Sequence, residues 1–87
     1  MGARMTYEIE FKPRAFKDLQ ALPKSTRRRI VAKIEGLTKG LAGDVKRLTN
    51  FTPEYRLRVG DYRVLFEVEE RKLIMYRILH RKDAYRS

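Results

Sequence analysis

Tyr55-Arg56-Leu57-Arg58-Val59-Gly60-Asp61-Tyr62-Arg63-Val64-Leu65-Phe66 is the stretch that decides the reading of this chain. Two runs alternating apolar and polar residues flank Gly60-Asp61, a dipeptide suited to a two-residue hairpin loop because glycine reaches positive φ without steric penalty. With that loop, Val59 pairs with Tyr62 and Arg58 with Arg63, and Arg56 shares the face of the two arginines. Like charges directly opposite on a sheet are destabilising. Three guanidiniums on one face therefore point to an anion site, and phosphate is the natural anion.

Composition agrees. The chain has 21 lysines and arginines against 11 carboxylates, a formal charge of +10 over 87 residues. Such a field attracts nucleic acid, an anionic membrane or an acidic protein. The length fits one domain spanning 1–87, with residues 1–5 as a flexible start or an expression remnant, and 43% hydrophobic residues suffice for a small core. Without cysteine there is no disulfide or thiolate metal site, and a single histidine argues against structural zinc, so no metal and no cofactor are expected. The N-terminal Met1-Gly2-Ala3-Arg4-Met5 is too short and polar for a signal peptide, and no run of about 18 apolar residues exists. A cytoplasmic location is expected.

Outward from the hairpin, Tyr7, Ile9 and Phe11 alternate with Thr6, Glu8 and Glu10 and predict a first strand. Pro13 opens a helix carrying Ala15, Phe16, Leu19 and Leu22 at helical spacing, stopped by Pro23. Ser25 is placed to cap a second helix with Ile30, Ile34, Leu37 and Leu41 as its stripe, ending at Gly40 and Gly43. A loop from Leu48 to Pro53 precedes strands at Tyr55–Val59, Tyr62–Glu69 and Leu73–Leu79. The expected class is α+β, in the order β-α-α-β-β-β: a small twisted, mostly antiparallel sheet with a two-helix hairpin packed on one face. The last hairpin has two possible registers. A two-residue loop at Glu70-Arg71 puts Ile78 on the arginine face, whereas a three-residue loop from Glu70 to Lys72 puts Met75, Arg77 and Leu79 there. The second is favoured because it gathers Ile74, Tyr76 and Ile78 with Val64, Phe66 and Val68 on the helix side. Either way, His80-Arg81-Lys82-Asp83-Ala84-Tyr85 arrives beside the Arg58/Arg63 turn.

Arg56, Arg58, Arg63 and Arg81, with His80 and Tyr85 nearby, suit phosphodiester chemistry on RNA. Guanidiniums bind phosphate oxygens bidentately and can stabilise the charge that grows on a pentacoordinate phosphorus. RNA carries its own nucleophile, the 2′-hydroxyl, so a protein must orient it, take its proton and protonate the leaving 5′-oxygen. Arg58, Arg63, Arg81 and Tyr85 are the candidate catalytic residues. Arg56, Arg77, His80, Lys46 and Arg47 are candidate substrate contacts. Eight lysines and arginines between Lys24 and Arg47, against Glu35 and Asp44, form a second basic surface suited to a phosphate backbone. Each of these residues also has an ordinary reading as a solvated or ion-paired surface charge, and Glu67 and Glu69 could neutralise part of the cluster.

Tyr7-Glu8-Ile9-Glu10-Phe11, the two-helix segment, Tyr55-Arg56-Leu57-Arg58-Val59, Tyr62-Arg63-Val64-Leu65-Phe66 and the terminal His80-Arg81-x-x-x-Tyr85 together resemble the RelE branch of the RelE/ParE toxin superfamily. That resemblance implies a type II toxin acting as a ribosome-dependent, metal-independent mRNA endonuclease in the A site. It implies 2′-hydroxyl attack to give a 2′,3′-cyclic phosphate, and neutralisation by a cognate acidic antitoxin. By position, Arg63 and Arg81 match the family's phosphate-stabilising arginines, and Tyr85 its terminal catalytic or base-stacking tyrosine. Arg56 and Arg58 stand where well-studied members have lysine. Arginine is always protonated and a poor general base, so these two hold charge, and proton transfer falls to Tyr85 or His80. Two rivals remain open: a ParE-like inhibitor of DNA gyrase, and a non-catalytic module that binds RNA or an acidic protein.

Overall fold

The computed structural model describes residues 6–39, 45–48 and 53–84. Its elements run β1 (Glu8–Phe11), α1 (Pro13–Gln20), α2 (Lys24–Gly36), a single 3-10 turn (Leu37–Lys39), β2 (Val45–Arg47), β3 (Tyr55–Val59), β4 (Tyr62–Glu69), β5 (Lys72–His80) and a short α3 (Arg81–Ala84). The five strands form one sheet in the order β1-β5-β4-β3-β2. Among the described residues only β1 runs parallel to its neighbour, and every other pairing is antiparallel. The α+β class and the β-α-α-β-β-β order hold, with β2 as an additional strand. Three residues with one apolar side chain, Val45, are too few to display an alternating pattern. The expected ends at Gly40, Leu41 and Gly43, and turn-formers Thr49 and Asn50, lie outside the described residues.

Pro13 is the first residue of α1, preceded by Lys12 in an extended conformation. The expected Ser25 cap is corrected: Pro23 occupies the cap position of α2 and no side chain caps it. Proline's fixed φ sets the entry, and the Arg27 amide donates to the Pro23 carbonyl at 2.9 Å to close the first turn. Ile30, Ile34 and Leu37 then pack with Ala15 and Leu19 against Leu57, Val59, Val64, Phe66, Leu73, Met75 and Ile78 of the sheet. Phe66, fully buried, stacks on Tyr55 at 5.4 Å.

The register of the first hairpin is as its turn dictates: Val59 opposite Tyr62 and Arg58 opposite Arg63. Gly60 has φ +58°, and a Cβ added there would lie 3.3 Å from Nη2 of Arg29 on α2. Gly60→Ala therefore meets both a left-handed backbone and an occupied space. Unfolding in urea should show a loss of about 1–2 kcal/mol, and Gly60→Asn a smaller one, since asparagine tolerates that conformation better.

The last hairpin uses both expected registers in succession. Glu69 pairs with Lys72 across the two-residue turn, so Leu73 and Met75 oppose Val68 and Phe66 on the helix side. This corrects the favoured assignment of Met75 to the arginine face and of Ile74 to the helix side, since Ile74 opposes Glu67 on the other face. Between Leu65 and Phe66 the register shifts by one, leaving Tyr76 as an extra residue, and beyond it Ile78 opposes Val64 while Leu79 opposes Arg63. A bulge of this kind lets two apolar patterns of opposite phase face the same core. Its consequence is that Ile78 stays inside while the strand still ends beside the turn.

Candidate phosphate-binding site

Three sequence-distant segments meet at the Gly60-Asp61 turn. The Arg81 amide donates to the Asp61 carbonyl at 2.7 Å, tying the end of β5 to the β3–β4 hairpin. From α2, the Arg29 guanidinium lies over Gly60. Between these elements is a cleft of about 390 Å³ lined by Arg29, Lys33, Arg58, Val59, Gly60, Asp61, Arg63 and Arg81. Five cationic side chains and one carboxylate thus face one cavity.

The opposed pair Arg58 and Arg63 is not symmetric. Arg58 is exposed, whereas Arg63 is 6% exposed. Burying a guanidinium is costly unless its N–H groups find acceptors. Arg63 Nη1 donates to the carbonyls of Gly60 at 3.0 Å and Tyr62 at 2.9 Å. The hairpin turn therefore orients this guanidinium before any ligand arrives, so no side-chain entropy is lost in aiming it. Arg81 is exposed at the start of α3.

Other candidates are placed elsewhere. By strand alternation Arg77 belongs to the arginine face, but its guanidinium is held by Asp18 of α1, with Nε–Oδ2 at 2.8 Å and Nη2–Oδ1 at 3.2 Å. The same carboxylate accepts from the Ile78 amide at 2.9 Å. Hydrogen bonding to Asp18, more than the Coulombic attraction, holds Arg77 above the ordinary arginine pKa against the opposing effect of burial. Arg77 is thus a tie between α1 and β5, and it does not line the cleft. Arg47 pairs with Glu54 at the sheet edge at 2.6 Å, and hydrogen bonding to that carboxylate raises its pKa. Lys46 is exposed and sits opposite Arg56, extending a basic stripe across the arginine face, although neither lines the cleft.

His80 points to the helix side with Tyr62, whose ring it meets edge to face at 5.4 Å. Its Nδ1 accepts from the Lys82 amide at 3.2 Å, which leaves the neutral ring with its proton on Nε2. Tyr85 lies outside the described residues.

Arg29 and Lys33, expected only as part of a separate basic surface on the second helix, line the same cleft as the hairpin arginines. Their signal was the i, i+4 spacing beside the Ile30–Ile34 stripe, which puts both on one flank of α2.

Comparison with known proteins joins this geometry to relatives. A family model described as the ParE toxin of the type II toxin-antitoxin system matches residues 9–85. Toxin RelE3 of Methanocaldococcus jannaschii is 35% identical over 83 residues, covering 90% of this chain and 94% of that protein. The toxin in a RelB-RelE antitoxin-toxin complex from Methanococcus jannaschii superposes with a TM-score of 0.73 at 35% identity, over 87% of this chain and 94% of that one. An archaeal RelE-RelB complex from Pyrococcus horikoshii gives 0.76 at 28% identity, covering 94% and 99%.

Proposed function

Because the chain belongs to the RelE/ParE superfamily of type II toxin-antitoxin toxins, we propose that it is an endoribonuclease that cuts mRNA in the ribosomal A site. The observation that carries this reading is the cleft in which Arg58, Arg63 and Arg81 converge on one turn. The RNA 2′-oxygen attacks phosphorus as the P–O5′ bond breaks, giving a 2′,3′-cyclic phosphate and a 5′-hydroxyl. The 2′-hydroxyl proton leaves to a base and the departing 5′-oxygen takes one up, so no cofactor enters the balance. Arg63, already oriented by the turn, binds a non-bridging oxygen, and Arg58 and Arg81 share the charge that grows there. These arginines cannot remove the proton. Tyr85 is the candidate base, since the Nδ1 lone pair of His80 already accepts from Lys82.

Ribosome and mRNA are the partners this reading requires, and an acidic antitoxin is the third. The related toxins in the two archaeal structures are bound to RelB, and a domain of charge +10 suits an acidic counterpart. Primer extension on programmed ribosomes tests the reading: added protein should produce cuts within the A-site codon whose 5′ fragments end in cyclic phosphate. Growth arrest without such cuts would overturn it. The family model carries the ParE description, so gyrase supercoiling is the necessary parallel assay, and inhibition there with intact mRNA would favour that branch.

A further inference from the structure

We infer that the cleft binds two successive phosphates of an RNA strand, the second held by Arg29 and Lys33 of α2; this deepens the nuclease reading and rests on it. One phosphodiester carries a single negative charge, and two in the pentacoordinate state. Arg58, Arg63 and Arg81 already match that demand. Yet two more cations line the same cleft from a different element, against the one carboxylate of Asp61. Arg29 and Lys33 stand one helical turn apart on one flank of α2, the spacing at which side chains act together. The Arg29 guanidinium lies over Gly60, where its Nη2, Cζ and Nη1 are 3.3, 3.5 and 3.5 Å from the place a Cβ would take. The cleft measures about 390 Å³, within the range of roughly 300–1,000 Å³ typical of sites that enclose a whole small ligand. It has room for more than one phosphate. The substrate class that satisfies this arrangement is a single strand whose backbone crosses the turn, one linkage on the sheet arginines and the next on α2. Such a grip fixes strand direction as well as position, which a single phosphate contact cannot do.

The test uses a 2′-O-methyl trinucleotide, which cannot supply the attacking hydroxyl, in two forms: two phosphodiester linkages, or one with the other replaced by a neutral methylphosphonate. Binding to the full chain is followed by anisotropy as salt is varied. For single strands the slope of log K against log salt is about −0.7 per phosphate neutralised. The wild type should give about −1.4 with the first probe and about −0.7 with the second. In Arg29→Ala/Lys33→Ala, checked for an unchanged thermal melt, or in Arg29→Gln/Lys33→Gln if that variant is unstable, the two probes should give equal slopes. A difference between probes that persists in the variant, equal slopes in the wild type, or no binding by the wild type would each overturn the proposal. The nuclease reading is decided separately, by ribosomal cleavage with wild-type protein: two-phosphate binding without cuts would leave the subsite standing and remove the activity.

Discussion

Arg63→Ala should lower single-turnover cleavage of A-site mRNA by about 10²–10³-fold, the usual consequence of deleting one preorganised donor to a developing oxyanion. Two effects combine. The variant loses the guanidinium itself, and it frees the Gly60 and Tyr62 carbonyls that Nη1 now holds at 3.0 and 2.9 Å. The second effect costs about 1–2 kcal/mol of stability, which a domain of ordinary stability survives, so the loss of rate should appear in a folded protein. Arg63→Lys separates the contributions. It restores a positive charge but not the planar fork that spans two carbonyls and still faces a ligand, so it should recover little of the rate. Full cleavage by Arg63→Ala would remove this residue from the site.

Asp18→Ala should produce the largest stability loss among single surface-accessible changes. One carboxylate satisfies both the Arg77 guanidinium and the Ile78 amide, and it does so from α1, across the strand just beyond the bulge at Tyr76. β1 ends at Phe11, whose partner is Met75, so past that point no strand among the described residues lies beside the outer edge of β5; Asp18 supplies the acceptor that a strand would have given. Removing it leaves a part-buried cation and an orphaned amide, a cost of about 2 kcal/mol and a melting temperature lower by roughly 8–16 °C for a chain of this size. Asp18→Asn keeps an acceptor for Ile78 and should recover about half. Arg77 is held above its ordinary pKa. A raised cation contributes stability below its unfolded pKa and loses it only as pH climbs through the folded one, so the difference between wild type and Asp18→Ala should stay constant through the neutral range. A melting temperature unchanged in Asp18→Ala would show that the tie carries no stability.

The hairpin was legible because Gly60-Asp61 permits one short loop and alternation then fixes every pair. The bulge was not, since Leu73/Met75 and Ile74/Tyr76/Ile78 each offer an apolar phase and nothing local says that the strand uses both. Arg58, Arg63 and Arg81 could be brought together from strand pairing alone. Arg29 and Lys33 could not, because the direction of a helix flank depends on how the helix docks. Arg77 shows the converse: alternation assigns its face correctly, yet Asp18, 59 residues away in sequence, claims its side chain. Likewise His80 arrives at the turn as expected while its ring faces Tyr62, on the opposite side of the sheet from Arg63.

The five cations around one cleft repel each other in the unliganded chain, and that repulsion falls when any one of them is removed. Added salt and bound phosphate should therefore each raise the melting temperature of the wild-type chain, because both reduce that repulsion. The cluster thus couples the stability of this chain to the anion it holds.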